Sequence, residues 1–421
     1  MSSSVRWPLF AVWIATGTVA ALPYPAAADP VPPFSALLRE TLSTAPRLAE
    51  ARAGVAQAEG LRDQAGAFPN PRLSAELENF APMGPSVGLP RAESRQSTFS
   101  VTQPIEFWGK RSARISAGDA GISAARARLA QMETDYAFDL ASAYMEAEAD
   151  DRRLRLAQES LRFAEDDARI TAALVQAGRE AEVRRLQAQT ALATARASLD
   201  AAQSERERSL SSLTALTGSP TPYTEIPDSL LTHADNYELP AMPDALQSPI
   251  YKAALAARDE AERKIAVERT RALPDIDVSL GVRTFSGTNA KALVGSVSLP
   301  LPIFDRNRGN ISAAEAEFRS ASARLNAAQN EAAAGARASV ARAKAALTRI
   351  AAALEAERAA EQVSRLTRAG YEGGKLSFIE VLSSNRALSE ARNATLEARL
   401  ERLAAEAALA RLQGNVPFGD H

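Results

Sequence analysis

The sequence predicts a mainly α-helical chain with a small β part, laid out as two copies of one unit. Three observations predict it: a composition suited to long helices, two pairs of short stretches with alternating apolar and polar residues, and an internal repeat. Ala, Arg, Glu, Leu and Ser dominate. Aromatic residues are only 5% of the chain, and the hydrophobic share of 46% is carried largely by Ala. Such a mix at helical period reads as long helices and coiled coil rather than a compact core.

The repeat sets the frame. Val101-Thr102-Gln103-Pro104-Ile105 answers to Val297-Ser298-Leu299-Pro300-Leu301. The same offset carries Arg114-Ile115-Ser116-Ala117 onto Asn310-Ile311-Ser312-Ala313, Gly178-Arg179 onto Gly374-Lys375, and Gly218 onto Gly414. The register does not slip from the second strand of each half to its last helix, which marks a duplication rather than chance likeness between Ala-rich helices. Upstream, with small gaps, Phe68-Pro69 corresponds to Leu273-Pro274.

Residues 1–28 read as a secretory signal peptide: Arg6, an apolar run from Trp7 to Leu22, and Ala26-Ala27-Ala28 before Asp29. An uncleaved anchor is the alternative. No later stretch reaches the ~20 apolar residues of a spanning helix, so a membrane crossing would have to be a β-barrel.

The first repeat, residues 29–218, then reads as a lead-in helix (Phe34 to Ala67), strands at about 72–80 and 97–104, a long helix 109–177 and a helix 180–217. Residues 219–244 read as a linker or equatorial segment. The second repeat, residues 245–421, reads as a lead-in helix (Ala245 to Ala272), strands at about 275–285 and 291–300, a long helix 308–373, a helix 376–413 and a short tail.

Ile276, Val278, Leu280 and Val282 alternate with Asp275, Asp277, Ser279, Gly281 and Arg283, which is a strand with one apolar face. Leu73, Ala75 and Leu77 alternate in the same way. Four strands of this length suit a tilted bilayer crossing but cannot close a barrel, because the smallest membrane barrels use eight. Three chains would supply about twelve, so a membrane role requires a homotrimer. The other reading is a small soluble β-region.

A helix of about 65 residues is about 100 Å long and must lie against others along its length. Leu129, Met132, Tyr136, Leu140, Ala143 and Ala147 form one stripe for burial. Gly178-Arg179 and Gly373-Gly374-Lys375-Leu376 are turns at the far end from the strands, with Gly supplying a left-handed C-cap. Pro104, Pro300 and Pro302 are expected to break the strands before the long helices, with Asp305 or Asn307 as helix cap. Phe107, Trp108 and Phe304 fall where an interfacial aromatic girdle would lie.

The net charge of −2 without a basic block argues against nucleic acid as a partner. The absence of Cys removes thiolate metal sites, Cys nucleophiles and a lipidated Cys. His233 and His421 are the only His residues and sit near no partner cluster. No phosphate loop or nucleophile elbow is present. No catalytic, cofactor or metal site is therefore expected, and the chain does not read as an enzyme.

The duplicated layout, the junctions Pro104-Ile105-Glu106-Phe107-Trp108-Gly109-Lys110-Arg111 and Pro300-Leu301-Pro302-Ile303-Phe304-Asp305-Arg306-Asn307-Arg308-Gly309-Asn310-Ile311, and the tip Gly374-Lys375-Leu376-Ser377-Phe378-Ile379-Glu380-Val381-Leu382 resemble the outer-membrane efflux protein family, the TolC-like channels. The second junction is the most specific motif and is similar to the CzcC-like heavy-metal branch. The resemblance implies a homotrimer with a twelve-stranded barrel in outer-membrane lipid and a long periplasmic helical tunnel. It implies docking to a periplasmic adaptor and an inner-membrane RND pump through tips at Gly178, Arg179, Gly374, Lys375 and Leu376. It also implies a tunnel constriction near Glu361, Arg365, Arg368 and Glu372, and a barrel–helix junction that includes Arg306. Heavy-metal export, multidrug efflux and type I secretion are the cargos this layout serves. A periplasmic coiled-coil scaffold is the non-channel alternative.

Overall fold

The computed structural model describes residues 29–80, 95–227, 230–235 and 241–418. The expected signal peptide lies outside these residues, as do most of the first inter-strand loop, parts of the linker, and His421. In chain order the elements are β1 (Asp29–Pro30), α1 (Phe34–Thr44), α2 (Pro46–Ala65), β2 (Arg72–Glu78), β3 (Gln96–Ile105), α3 (Lys110–Gln176), α4 (Glu182–Thr217) and β4 (Tyr223–Glu225). After two short 3-10 helices (Leu230–Asp235 and Ala245–Gln247) come α5 (Pro249–Arg271), β5 (Ile276–Phe285), β6 (Lys291–Ser298), α6 (Arg308–Glu372) and α7 (Phe378–Gln413).

The lead-in of the first repeat is two helices, not the one expected over Phe34 to Ala67. Pro46 disfavours a helical residue before it, and Ala45 is accordingly extended at φ −57° and ψ 127°. Pro46 itself opens α2, where its missing N–H costs nothing. The second lead-in repeats the device. Pro249 opens α5, and the Ser248 hydroxyl accepts the Tyr251 N–H at 3.4 Å, so Ala245–Gln247 stands apart as a 3-10 turn.

Within the segment read as a linker or equatorial segment, described residues take up regular structure. β4 pairs in parallel with β1. The buried Glu148 carboxylate, midway along α3, accepts the N–H of Leu230 at 2.9 Å and of Leu231 at 3.4 Å. Large side chains gather at this level, among them Leu37, Leu48, Tyr136, Leu140, Leu213 and Leu403. Phe34 lies edge-on to Tyr144 at 5.5 Å and to Phe418 at 6.0 Å. Each such burial contributes about 1.5–3 kcal/mol. Of the stripe expected on α3, Tyr136, Leu140 and Ala147 are buried here, with Met132 and Ala143 half-buried against them.

Outside this belt the seam of α6 is built mostly from Ala. Its buried residues are Ala314, Ala321 and Ala328, then Ala332, Ala336, Ser339, Ala343, Ala346, and Ile350 and Ala353 where it reaches the belt, with Thr367 further on. The first three recur every seven residues and those from Ala332 to Ala353 alternate steps of four and three, which is a coiled-coil seam. Small side chains let the helices approach closely while burying little area each. α3, with 67 residues, and α6, with 65, are each about 100 Å long.

Near the strands the helices pack in the order α2–α3–α5–α6, and toward the far end in the order α4–α3–α7–α6. The sheet order β2–β3–β5–β6 matches the upper helix order, so each strand joins a helix of the same rank. All three pairings are antiparallel, and the boundary between the repeats runs between β3 and β5.

Gly281 sits on that boundary, opposite Ser100. A Cβ there would lie 2.6 Å from the Phe99 carbonyl oxygen and 2.7 Å from the Ser100 Cβ. Because backbone would have to move, Gly281→Val should destabilise the sheet by about 1–3 kcal/mol. Thermal melting followed in the amide-I infrared band should show a lower transition for the strands while the helical signal is retained.

Candidate functional site

The site is a surface, and register defines it. Leu73, Val101, Leu280 and Gly295 lie abreast, as do Ala75, Phe99, Val282 and Leu293. Gln103, Val278 and Val297 form the next row. The middle rows of this face are apolar and bare, with Leu293 90% exposed, Leu73 78% and Val297 72%, while Gln103 stands at the helix end and Ser97, Thr284 and Lys291 at the other. The opposite face carries Arg72, Ser74, Glu76, Thr98, Ser100, Thr102, Ser279 and Arg283. There Arg72 pairs with Asp277 at 3.1 Å, the Ser74 and Ser100 hydroxyls lie 2.8 Å apart, and Arg283 Nε donates to Thr98 Oγ1 at 3.1 Å. A polar, cross-linked face behind an apolar, uncovered one suits water on one side and hydrocarbon on the other. Within the described residues β2 and β6 each have a strand on one side only.

The junctions correct two expectations. Pro104 does not break its strand, since β3 continues to Ile105 with Pro104 opposite Asp277. β2 pairs no further than Thr102, so Pro104 has a strand neighbour on one side only, where Pro is tolerated. Pro300 and Pro302 do lie beyond the end of β6. Asn307 holds the N-cap position of α6 at φ 56°, but its side chain makes no capping bond. Its Nδ2 instead donates to the Glu268 carbonyl and carboxylate, each at 2.8 Å, tying the junction to α5. Asp305 Oδ1 accepts the Asn307 N–H at 2.9 Å, closing an Asx turn ahead of the helix rather than capping it. Trp108 and Gly109 are both left-handed, at φ 65° and 73°, and turn the chain into α3. Trp108 and Phe107 are exposed, and Phe304 is 99% exposed.

At the far end, both Gly turns close in the same way. The Arg179 N–H donates to the Leu174 carbonyl and that of Gly178 to Val175; the Lys375 N–H donates to Gly370 and that of Gly374 to Tyr371. These are Schellman caps, with Gly178 at φ 69° and Gly374 at φ 67°. The second tip has further ties. Leu376 packs over Gly370, where an added Cβ would meet its Cδ1 at 2.6 Å. Tyr371 and Phe378 rings lie 5.5 Å apart, and Ser377 and Glu380 form a capping box. In the first tip Val175 and Glu182 occupy the aromatic positions, and Ala181 caps α4 with no side-chain bond.

Above the tips, Glu361 is held by Arg392 at 3.0 Å, and Arg392 also reaches Glu159 at 2.6 Å and Glu357 at 3.8 Å. This cluster joins α3, α6 and α7. Arg368 stacks over the Phe163 ring at 5.4 Å, while Arg365 and Glu372 are exposed. Sequence reading missed Arg392 and the buried Asp167. Burial pushes the Asp167 carboxyl up to about 6 against the opposing pull of Arg368, with Asp166 adding to the rise. The available signal was periodic: Leu156, Ala164, Asp167 and Thr171 continue the buried stripe of α3, with an acid at a seam position.

A bare apolar sheet with two open edges, running on into helices about 100 Å long, defines a subunit of an outer-membrane channel with a periplasmic helical tunnel. A model of the outer membrane efflux protein family matches residues 37–219 and 245–415, and the chain belongs to that family. It is 38% identical to the nickel-cobalt-cadmium resistance protein NccC of Alcaligenes xylosoxydans xylosoxydans, over 92% of this chain and 87% of that protein. It is 39% identical to the nickel and cobalt resistance protein CnrC of Cupriavidus metallidurans, over 72% of this chain and 71% of that one. Its fold is like that of the solved channel CusC, with a TM-score of 0.75 over 91% of this chain and 92% of that chain at 19% identity. The protein is an efflux channel of the outer membrane.

Asp167 gives a pH prediction. Its folded pKa lies above the ordinary carboxylate value, so its contribution to stability is fully present in acid and is lost as pH rises through about 6. Thermal melting should therefore occur at a higher temperature at about pH 5 than at about pH 7.5, after subtraction of the pH dependence of Asp167→Asn. Equal pH profiles for the two proteins would count against the burial penalty.

Proposed function

We propose that the chain is the outer-membrane component of a tripartite RND-type pump that exports heavy-metal cations, acting as a homotrimer with a twelve-stranded barrel. The observation that carries the reading is the four-stranded sheet, apolar on one bare face and unpaired at both edges. Three copies pair every edge, and the polar faces then line the lumen. Metal cargo is supported by the resistance named for NccC and CnrC. With no Cys in the chain, the cation passes hydrated along a polar tunnel rather than being held by thiolates.

The tips at Gly178, Arg179, Gly374, Lys375 and Leu376 are the docking points for a periplasmic adaptor, which links the channel to an inner-membrane pump. Both turns lie at the free end of long hairpins, and Gly178 and Gly374 have open space around them. Glu372 at the second tip, Arg368 one turn above it, and Arg365 and Glu361 higher still are the charges that narrow the tunnel mouth. Leu376 supports the second turn from inside by covering Gly370.

Deletion of the gene should raise sensitivity to divalent nickel, cobalt or cadmium more than to dyes or detergents. The opposite order would assign the channel to organic cargo. Gly374→Asp, which puts a side chain and a charge at a left-handed position, should lose metal resistance while native mass measurements still find the trimer. Loss of the trimer in this variant would show that the turn supports assembly rather than docking.

A further inference from the structure

The apolar face of the sheet carries charge at one end only. Its rows run from Gln103, Val278 and Val297 beside the helices to Leu77, Ser97, Thr284 and Lys291 at the far end. Beyond that row the Ser286 N–H donates to the Arg95 carbonyl at 3.0 Å, which continues the β3–β5 register by one more pair and keeps Arg95 in step with Ser97. Strand alternation therefore sets Arg95 and Lys291 on the same face as Leu293 and Leu280. Among the described residues they are the only charged groups on the strands of that face. Both are cations and both are exposed.

We propose that Arg95 and Lys291 form a cationic rim at the cell-surface end of the barrel, which binds the phosphates of lipopolysaccharide in the outer leaflet. The depth of the rim in lipid rests on the barrel proposed above.

The first support is the sign of the charges. The opposite face mixes signs and pairs them, Arg72 with Asp277 at 3.1 Å and Arg283 with Glu78 at 3.9 Å. On the lipid-facing side no acid of the strands stands beside Arg95 or Lys291, and the turn from Ser286 to Ala290 contains none. A rim that met only water would accept acids as readily as bases. A rim that meets phosphate would not.

The second support is depth. The long helices are periplasmic, so the strand ends away from them face the cell surface. A cation on the lipid-facing side of a barrel is costly at mid-bilayer and cheap at its edge, and Arg95 and Lys291 stand at the edge. Their apolar stems can lie along the last rows while the charged heads reach the headgroup layer. At the helix end the same face closes on Gln103 instead. The junction cations there are engaged within the protein: Lys110 reaches Asp275 at 2.8 Å, and Arg111 donates to the Gly66 carbonyl at 2.7 Å. The two ends of the face thus differ as the two leaflets of an outer membrane differ, with the phosphate-rich one outside. Lys291 stands two strands from Ser97, and Arg95 one row beyond. The two backbone positions are then about 12 Å apart, close enough for both side chains to close on one headgroup.

The test uses the full-length trimer, immobilised in detergent, with lipopolysaccharide as the probe. Removing both charges, in Lys291→Gln with Arg95→Gln, should weaken retention of the probe by about tenfold or more. Lys291→Arg, which keeps the charge, should bind as the wild type does. Dephosphorylated lipopolysaccharide should bind the wild type and the double variant alike. Inorganic phosphate should not displace the probe; displacement by it would assign the cations to a free anion and overturn the lipid assignment. Equal retention of lipopolysaccharide by the wild type and the double variant would overturn the rim. Native mass measurement checks that the variant is still a trimer, and Lys291→Gln alone decides the matter should the pair disturb assembly. A wild-type chain that failed to insert as a trimer would sink the barrel reading and the rim with it, whereas a sound trimer indifferent to the two charges sinks the rim alone.

Discussion

In hydrocarbon, an unpaired backbone N–H or C=O costs several kcal/mol, and no side chain can offset a whole row of them. Among the described residues the sheet β2–β3–β5–β6 presents two such rows, one along each outer strand. Its apolar face is equally demanding, since Leu73, Leu280, Leu293 and Val297 have nothing packed on them. Every larger feature follows from meeting both demands together. On the proposed trimer the sheet closes on copies of itself, its polar face turns inward, and the helices that continue its strands form a ring of the same order.

The helical part meets a different constraint, which is reach. A conventional core of large side chains cannot be extended for 100 Å in a layer one helix thick. The chain gathers most of its large buried residues in one belt, where β1, β4, α1 and the Leu230–Asp235 turn brace the helix midpoints. Beyond it, Ala seams allow close approach with little burial, and ion pairs tie neighbouring helices at their rims. Arg62–Asp119 at 2.9 Å joins α2 to α3, and Arg153–Glu397 at 2.6 Å joins α3 to α7. Exposed pairs of this kind add little each, so they set alignment more than stability.

Much of this was legible in the sequence because it is periodic. The duplication, the alternating strands, the long helices and the Gly turns each follow a simple local rule. What was not legible depended on distant partners. Pro104 reads as a strand breaker until one sees that β2 has already ended beside it. Asn307 reads as a helix cap, but Glu268, far away in sequence, claims its amide. Glu361 reads as a charge near the tunnel constriction, but its partner Arg392 lies on another helix and no local pattern announces it. Asp167 was lost among many acids because its burial is a property of the packed seam, not of its neighbours in sequence.

The two tips began as copies and have since diverged in stiffness. The second is fixed by Tyr371 against Phe378, by Leu376 over Gly370 and by the Ser377–Glu380 box. The first keeps the glycine cap and little else. The consequence is one of tolerance. A substitution at Tyr371, Leu376 or Phe378 loses a contact that the second turn is built on, whereas Val175 and Glu182, the positions that answer to the two rings, carry no ring contact to lose.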